Sequence, residues 1–218
     1  LSIRRQRQMC IRDRSLFRGE RNAFYDPNDP QRLSAVARSY IAGLLRHAPE
    51  ITLVTNQWVN SYKRLVRGSG PLGFEAPVYV SWSLRNRADL IRVPEVKPGK
   101  EQAVRIEYRA PDPACNPYLA FAAMLAAGLE GIEREYPCPP PADRSVYEMS
   151  DQERAERGIT HLPGSLWEAI QVAERSELLR RCLGEHVFHT LIQNKKIEWS
   201  EYRRQVTDYE VRRYLPIL

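Results

Sequence analysis

No apolar run in this chain approaches the roughly 20 residues a helix needs to cross a bilayer, and no segment has the layout of a signal peptide. The expectation is a cytoplasmic protein with no membrane partner. Cysteine is scarce: Cys10, Cys115, Cys138 and Cys182 are widely spaced and form no CxxC pair, which argues for free thiols over a disulfide or zinc framework. No GxxxxGK[ST] segment occurs, so any ATP site is not of the P-loop type. No GxSxG or Ser-His-Asp signature is present either. Histidine is also sparse, and the one close pair, His186 and His189, reads as a helix surface because no carboxylate motif of di-metal type accompanies it.

The net charge of +6 looks like a polyanion footprint but is unevenly spread. Residues 1–14 carry Arg4, Arg5, Arg7, Arg12 and Arg14 against Asp13, so they hold +4 of it. That run has no aromatic residue, whereas nucleic-acid binding wants a basic stripe on a folded element with stacking aromatics nearby. No nucleic-acid partner is expected. The run has no helical or strand period, and Gln8-Met9-Cys10-Ile11-Arg12-Asp13 resembles translated sequencing-adapter read-through. Residues 1–14 are therefore expected to be a non-native extension, with a disordered basic arm as the alternative.

From Ser15 the chain reads as part of a large domain, with 43% hydrophobic and 28% charged residues over the 218 positions. Phe24 to Pro30 is turn chemistry, and Ser34 to His47 has apolar residues at helical spacing, with Pro49 expected to start a new segment. Short β-like runs follow at Val78 to Ser83, Leu90 to Val93 and Val104 to Tyr108, the last two joined by a loop with Pro98-Gly99 suited to a hairpin. Asn116 caps a helix with Pro117 at its first position, running to Glu133 and apolar enough to pack against a sheet. Tyr147 to Gly158 reads as an exposed loop or short helix. Helices are expected at Ser165 to Arg175, Glu177 to Leu183 and Glu185 to about Arg204, and the end of the chain is expected to pack through Tyr202, Val206, Tyr209 and Leu215. Strands followed by helices around one site argue for an α+β fold, with antiparallel strands carrying the active face.

Gly68 to Gly73 satisfies GxGxxG, but Pro71 removes an amide and no helix follows, so a surface loop is the better reading. Cys115 beside Asn116 reads as a small buried residue at a helix start. Arginine is the informative residue. In Arg105-Ile106-Glu107-Tyr108-Arg109, a period of two puts Arg105, Glu107 and Arg109 on one strand face. Arg64, Arg85, Arg87 and Arg92 lie upstream in otherwise apolar segments. Guanidinium forks bind carboxylate and phosphate bidentately, so this density suggests an anion site with Glu107 as a candidate metal ligand.

In order, Asn60-Ser-Tyr-Lys-Arg-Leu65, Phe74-Glu-Ala-Pro77, Ser83-Leu-Arg-Asn-Arg87, Ile91-Arg-Val-Pro94 and the Arg105–Arg109 strand resemble the C-terminal half of the catalytic domain of a type I glutamine synthetase. The resemblance spans residues 15–218. It implies a ligase joining glutamate and ammonia with ATP through a γ-glutamyl phosphate. By similarity, Arg64 and Arg109 would hold the glutamate carboxylates, while Arg87 and Arg92 would face the ATP phosphates and the transferring phosphoryl group. Arg105 would lie near the nucleotide, Glu107 would bind Mg²⁺ or Mn²⁺, and Glu75 would sit on a flap that excludes water and helps take a proton from ammonium. Tyr147 aligns loosely with a tyrosine that some bacterial members adenylylate, an ordinary loop tyrosine being the other reading.

Two departures stand out. Residues 66–75 form a longer, glycine-richer flap than the family's, from which looser coupling of ATP cleavage to amide formation is expected. The family's N-terminal β-grasp domain and further metal-binding glutamates and histidine do not precede Ser15. Family active sites form between subunits of a homo-oligomer, a double-ring dodecamer, so this chain is expected to be silent alone. The same-family alternative is a γ-glutamyl ligase acting on a polyamine or other amine; the other is a non-catalytic homologue.

Overall fold

The computed structural model describes residues 11–66 and 76–217. A four-stranded sheet is built from β1 (Asp13–Arg14), β4 (Trp82–Ser83), β5 (Ile91–Arg92) and β6 (Ile106–Tyr108), in the order β1-β6-β5-β4. A separate hairpin pairs β2 (Phe17–Arg18) with β3 (Arg21–Asn22). Strands β4, β5 and β6 lie within the three predicted β-like runs but are shorter, while β1, β2 and β3 were not anticipated. The expected β5–β6 hairpin forms, with Ile91 opposite Tyr108, and Gly99 supplies the φ of +79° that its loop requires. One pairing departs from the antiparallel expectation: β4 and β5 run parallel, Trp82 beside Ile91.

Two long helices, α1 (Ala35–Thr55) and α3 (Pro117–Glu133), pack on one another, with the short α2 (Val59–Arg64) between them in sequence. Ser34 caps α1, its Oγ accepting from the Ala37 amide at 3.1 Å. Asn116 caps α3, accepting from the amides of Tyr118 and Leu119, with Pro117 at the first turn as read from sequence. Pro49 does not divide α1. It sits inside one helix whose residues on either side, Leu44, Leu45, Ala48, Ile51 and Leu53, are all buried. Burial of both halves outweighs the hydrogen bond a proline removes.

Helix α3 packs on α1 rather than on the sheet face anticipated for it, and it buries only one side. Ala120, Ala123, Met124, Ala127, Gly128 and Gly131 face inward, whereas Tyr118, Phe121, Leu125 and Leu129 are exposed. The two helices approach so closely that a Cβ on Gly43 would lie 2.2 Å from the Ala127 carbonyl oxygen and 2.9 Å from the Gly131 Cα. Small residues on both helices permit that approach.

A helical region completes the chain: α4 (Asp151–Glu156), α5 (Leu166–Ala173), α6 (Glu177–Leu183), α7 (Glu185–Tyr202) and α8 (Asp208–Tyr214). The last three helices before α8 match their expected spans to within about two residues at each end. Serines cap α4, α5 and α6. Of the residues expected to pack at the end of the chain, Tyr202 is half-buried with its ring 5.8 Å from that of Trp199, whereas Val206, Tyr209 and Leu215 are 76%, 65% and 66% exposed. Their side chains are apolar, but α8 is only seven residues long and presents no buried residue.

Residues 11–14 are integrated into the fold. Ile11 is buried, and Asp13 pairs with Glu107 as Arg14 pairs with Ile106. The Arg14 guanidinium lies 4.4 Å from the centre of the Phe121 ring. A two-residue edge strand needs no periodicity in sequence, only extended backbone beside the open edge of β6.

Candidate active site

The arginine-bearing face is built on β5 and β6. Arg92 and Glu107 are opposite one another across these strands. Arg92 donates from Nε to Glu107 Oε2 at 2.8 Å and from Nη2 to Oε1 at 3.1 Å. Both side chains are about one-fifth exposed, so this fork is partly desolvated and correspondingly strong. Two residues earlier on the same strand face, Arg105 donates from Nε to Asp13 Oδ2 at 2.9 Å. The predicted alternation is met: Ile106 and Tyr108 are fully buried on the opposite side.

Arg64 reaches the site from the last turn of α2. Its Nη2 donates to Asn56 Oδ1 at 3.1 Å and to the Ala110 carbonyl, joining the end of α1 to the chain leaving β6. Burial lowers its pKa from the ordinary guanidinium value. Its helix is tied down by Ser61, which donates from Oγ to Asp112 Oδ2 at 2.7 Å. Arg109 is half-buried just beyond β6, and its amide donates to the Leu90 carbonyl at 2.8 Å.

Arg12 stands among these groups. Burial first, then the charges of Arg109 and Arg64, bring its pKa down to about 10, with Glu107 and Asp13 acting in the opposite sense. The structure thus brings Arg64, Arg92, Arg109 and Glu107 into one electrostatic neighbourhood. Arg87 is exposed in the β4–β5 connection, and Arg85, 83% exposed, pairs only with the exposed Glu95 at 3.4 Å. Glu75 and the Gly68–Gly73 motif, with the long flap, lie outside the described residues.

Tyr147 is half-buried. Its hydroxyl donates to the Ala76 carbonyl at 2.5 Å, and its ring meets Tyr79 edge-on. Burial and the neighbouring Tyr79 push its pKa up to about 12. Cys115 is fully buried at the start of α3, as read from sequence. His189 is exposed on α7, with Nδ1 2.9 Å from the Glu185 carbonyl oxygen. A cavity of ≈ 820 Å³ lies on another part of the molecule, lined by His47, Glu50, Glu130 and Ser176 among others. It shares no residue with the arginine face, and we place the candidate site by its charge and chemistry rather than by cavity size.

Sequence reasoning missed Asn56, Ser61, Asp89 and Asp112. Asp112 is flanked by prolines and reads as a turn. Asp89 carried a usable signal, an acidic residue inside the apolar run Ala88 to Val93. Nothing local distinguishes Asn56.

Glu107 has the hard oxygen donors that suit Mg²⁺ or Mn²⁺. Among the described residues, however, no group of three His, Cys, Asp or Glu side chains could hold a metal, and Glu107 is taken up by Arg92. These residues alone do not make a metal centre.

An α+β domain whose sheet sets guanidiniums around one carboxylate is a surface suited to anionic ligands. The chain matches the family described as "Glutamine synthetase, catalytic domain" over residues 12–214, and it belongs to that family. It is 51% identical over 203 residues to the glutamine synthetase of Mycolicibacterium smegmatis, covering 93% of this chain and 44% of that protein. The glutamine synthetase of Thermotoga maritima is 48% identical over 201 residues, with 92% and 44% covered, and that of Methanosarcina mazei 50% identical over 206 residues, with 94% and 44% covered. The chain therefore spans less than half the length of these relatives. Among solved structures, a GmaS/ADP complex superposes with a TM-score of 0.76 at 32% identity, covering 90% of this chain and 43% of that one.

Proposed function

We propose that this chain is the C-terminal portion of the catalytic domain of an ATP-dependent glutamate–ammonia ligase. The observation that carries the reading is the Arg92–Glu107 fork on the face of β5 and β6, with Arg64 anchored beside the chain leaving β6, in a chain belonging to this family. The glutamate side-chain carboxylate attacks the terminal phosphorus of ATP: one P–O bond forms, the bond to ADP breaks, and a γ-glutamyl phosphate results. Ammonia then attacks the acyl carbon, loses a proton, and inorganic phosphate leaves. The first step brings two anions together, so fixed cations that offset their charge lower its barrier.

In this scheme Arg64 and Arg109 hold the carboxylates of glutamate. Arg64 suits the task because Asn56 and Ala110 already fix its guanidinium. Arg87 and Arg92 face the phosphates, and Arg105 lies towards the nucleotide. Arg92 is bound to Glu107 here, so meeting a phosphate requires exchange of that partner. Glu75 is assigned to taking the ammonium proton and excluding water. Glu107 contributes one metal ligand, and the others come from outside the described residues. The acting protein is a cytoplasmic homo-oligomer, a dodecamer, in which a β-grasp domain precedes the catalytic one. Adenylylation of Tyr147 would require its hydroxyl to leave the Ala76 carbonyl.

The test is product formation by the intact protein carrying these residues, supplied with glutamate, ATP and Mg²⁺ and offered ammonia, methylamine or a polyamine. Glutamine formed from ammonia in preference to the amines is the expected result. The GmaS likeness keeps the γ-glutamyl ligase reading as the alternative, which preferential use of an organic amine would establish. Absent turnover with every amine would leave the non-catalytic reading standing.

A further inference from the structure

Arg64 is held by one edge of its guanidinium. Both of its hydrogen bonds leave from Nη2, one to Asn56 Oδ1 at 3.1 Å and one to the Ala110 carbonyl. Nε is buried and, like Nη1, has no hydrogen-bond partner among the described residues. Both acceptors are neutral, and among the described residues no carboxylate forms an ion pair with Arg64. The carboxylate whose charge acts on it, Asp112, is bonded instead to Ser61 Oγ at 2.7 Å. Thr55 and Asn56 are fully buried at the C-terminal end of α1. Thr55 Oγ1 has one hydrogen, which it directs at the Ile51 and Thr52 carbonyls, 3.2 and 3.4 Å away. Towards Asn56 it can only accept, and it does so from Nδ2 at 3.0 Å. That bond fixes the orientation of the Asn56 amide and turns its acceptor end to Arg64. The Thr55 carbonyl accepts from the Asp112 amide at 2.9 Å, so the end of α1 also anchors the segment that supplies Ala110.

We infer that Asn56 is a positioning residue for Arg64, a neutral clamp oriented by Thr55 that fixes the guanidinium while leaving its positive charge for a carboxylate of glutamate. This rests on the reading of Arg64 as a glutamate ligand. A carboxylate in place of the amide would hold the guanidinium as firmly but would also answer its charge, and an incoming anion would then meet a neutral pair. A cation half out of water with only neutral acceptors is costly to keep, and an anionic ligand offsets that cost when it binds. A guanidinium already fixed also loses less freedom on taking up the ligand. The gain therefore falls on substrate binding rather than on the chemical step.

The experiment is steady-state kinetics on the intact protein carrying these residues, comparing wild type with Asn56→Asp, Asn56→Ala, Thr55→Val and Arg64→Gln, with thermal midpoints measured alongside. Asn56→Asp keeps the shape and an acceptor for Arg64 while adding a negative charge. It is expected to raise the KM for glutamate about tenfold, with kcat and the KM for ATP within about twofold, the pattern of lost ground-state binding. Asn56→Ala frees the guanidinium and should raise the glutamate KM by a similar factor, about tenfold for one lost hydrogen bond to a charged group. Thr55→Val should shift it in the same direction by less, and its effect should largely vanish when added to Asn56→Ala. If Asn56→Ala does not fold, Asn56→Asp and Thr55→Val decide the same question. A wild-type glutamate KM in Asn56→Asp would refute the neutral clamp, since any acceptor would then serve. Glutamate KM unchanged in every Asn56 and Thr55 variant but raised in Arg64→Gln would remove Asn56 from the site and leave Arg64 in it. An unchanged glutamate KM in Arg64→Gln would overturn the reading of Arg64 itself. A lowered midpoint with the KM values for glutamate and ATP rising together would make Asn56 merely structural.

Discussion

A carboxylate's environment decides its role at the level of single residues, and three acidic side chains here show the range. Glu107 is neutralised by a bidentate Arg92 and sits at the ligand face. Asp89 is fully buried in the β4–β5 connection and accepts from Ser81. Glu50, on α1, works in stability: its carboxylate meets His47 Nδ1 at 3.0 Å and accepts from Ser176, the cap of α6. Burial alone would raise the Glu50 pKa, but the hydrogen bonds from His47 and Ser176 and the charges of His47 and Arg46 outweigh it, and the net shift is downward. A carboxylate with a depressed folded-state pKa contributes stability above its unfolded value, and that contribution is lost as pH falls through the folded value. Glu50→Gln should therefore lower the thermal midpoint at pH 7. The gap to wild type should close as pH is taken below the ordinary glutamate range, near 4. Melting curves across pH check this, and a gap independent of pH would sink the role given to the Glu50 charge.

Between elements, the contact that sets the architecture is the crossing of α1 and α3. Gly43 and Gly131 face one another there, and a Cβ on Gly131 would stand 2.2 Å from the Ser39 carbonyl oxygen. In an isolated helix, Gly→Ala gains about 1 kcal/mol from propensity. Here the added methyl must push backbone against backbone, and overpacking of this kind costs about 1–3 kcal/mol or more. Gly43→Ala is thus expected to be destabilising despite the better helix former, read as a lower urea midpoint with unchanged m. A stabilised variant would show that the helices can separate without loss. The capped start of α3 at Asn116 was legible because capping is local chemistry, whereas the Ser34 cap of α1 was seen only in the structure. The continuity of α1 through Pro49 was not, since it depends on what both halves bury. The exposed stripe on α3 was equally hidden: composition shows that a helix is apolar, not which of its faces finds a partner.

At the scale of the whole molecule, the described residues present an arginine-rich face but not the side chains that would complete a metal centre on it. Glu107 is one carboxylate bound to an arginine, and no group of three metal-capable side chains gathers there. Phosphoryl transfer without the divalent ion leaves the charge of the transferring group largely unanswered. The 218-residue chain, purified and given glutamate, ammonia and MgATP, is accordingly expected to form no glutamine above background, measured by mass spectrometry. Glutamine formation that depends on ATP and metal would overturn that expectation.

The sequence by itself determined the family, the Asn116 cap, the three β-like runs and the strand face shared by Arg105, Glu107 and Arg109. All of these follow from short-range periodicity, capping chemistry and motif order, which are written in neighbouring residues. Only the tertiary structure decided that Arg92 closes on Glu107, that Asn56 and Ala110 clamp Arg64, that Ser81 meets the buried Asp89, and that β4 runs parallel to β5. Those pairings join residues on different elements, and electrostatics acts through space. Which charge meets which was settled when the strands chose their neighbours and water was excluded between them.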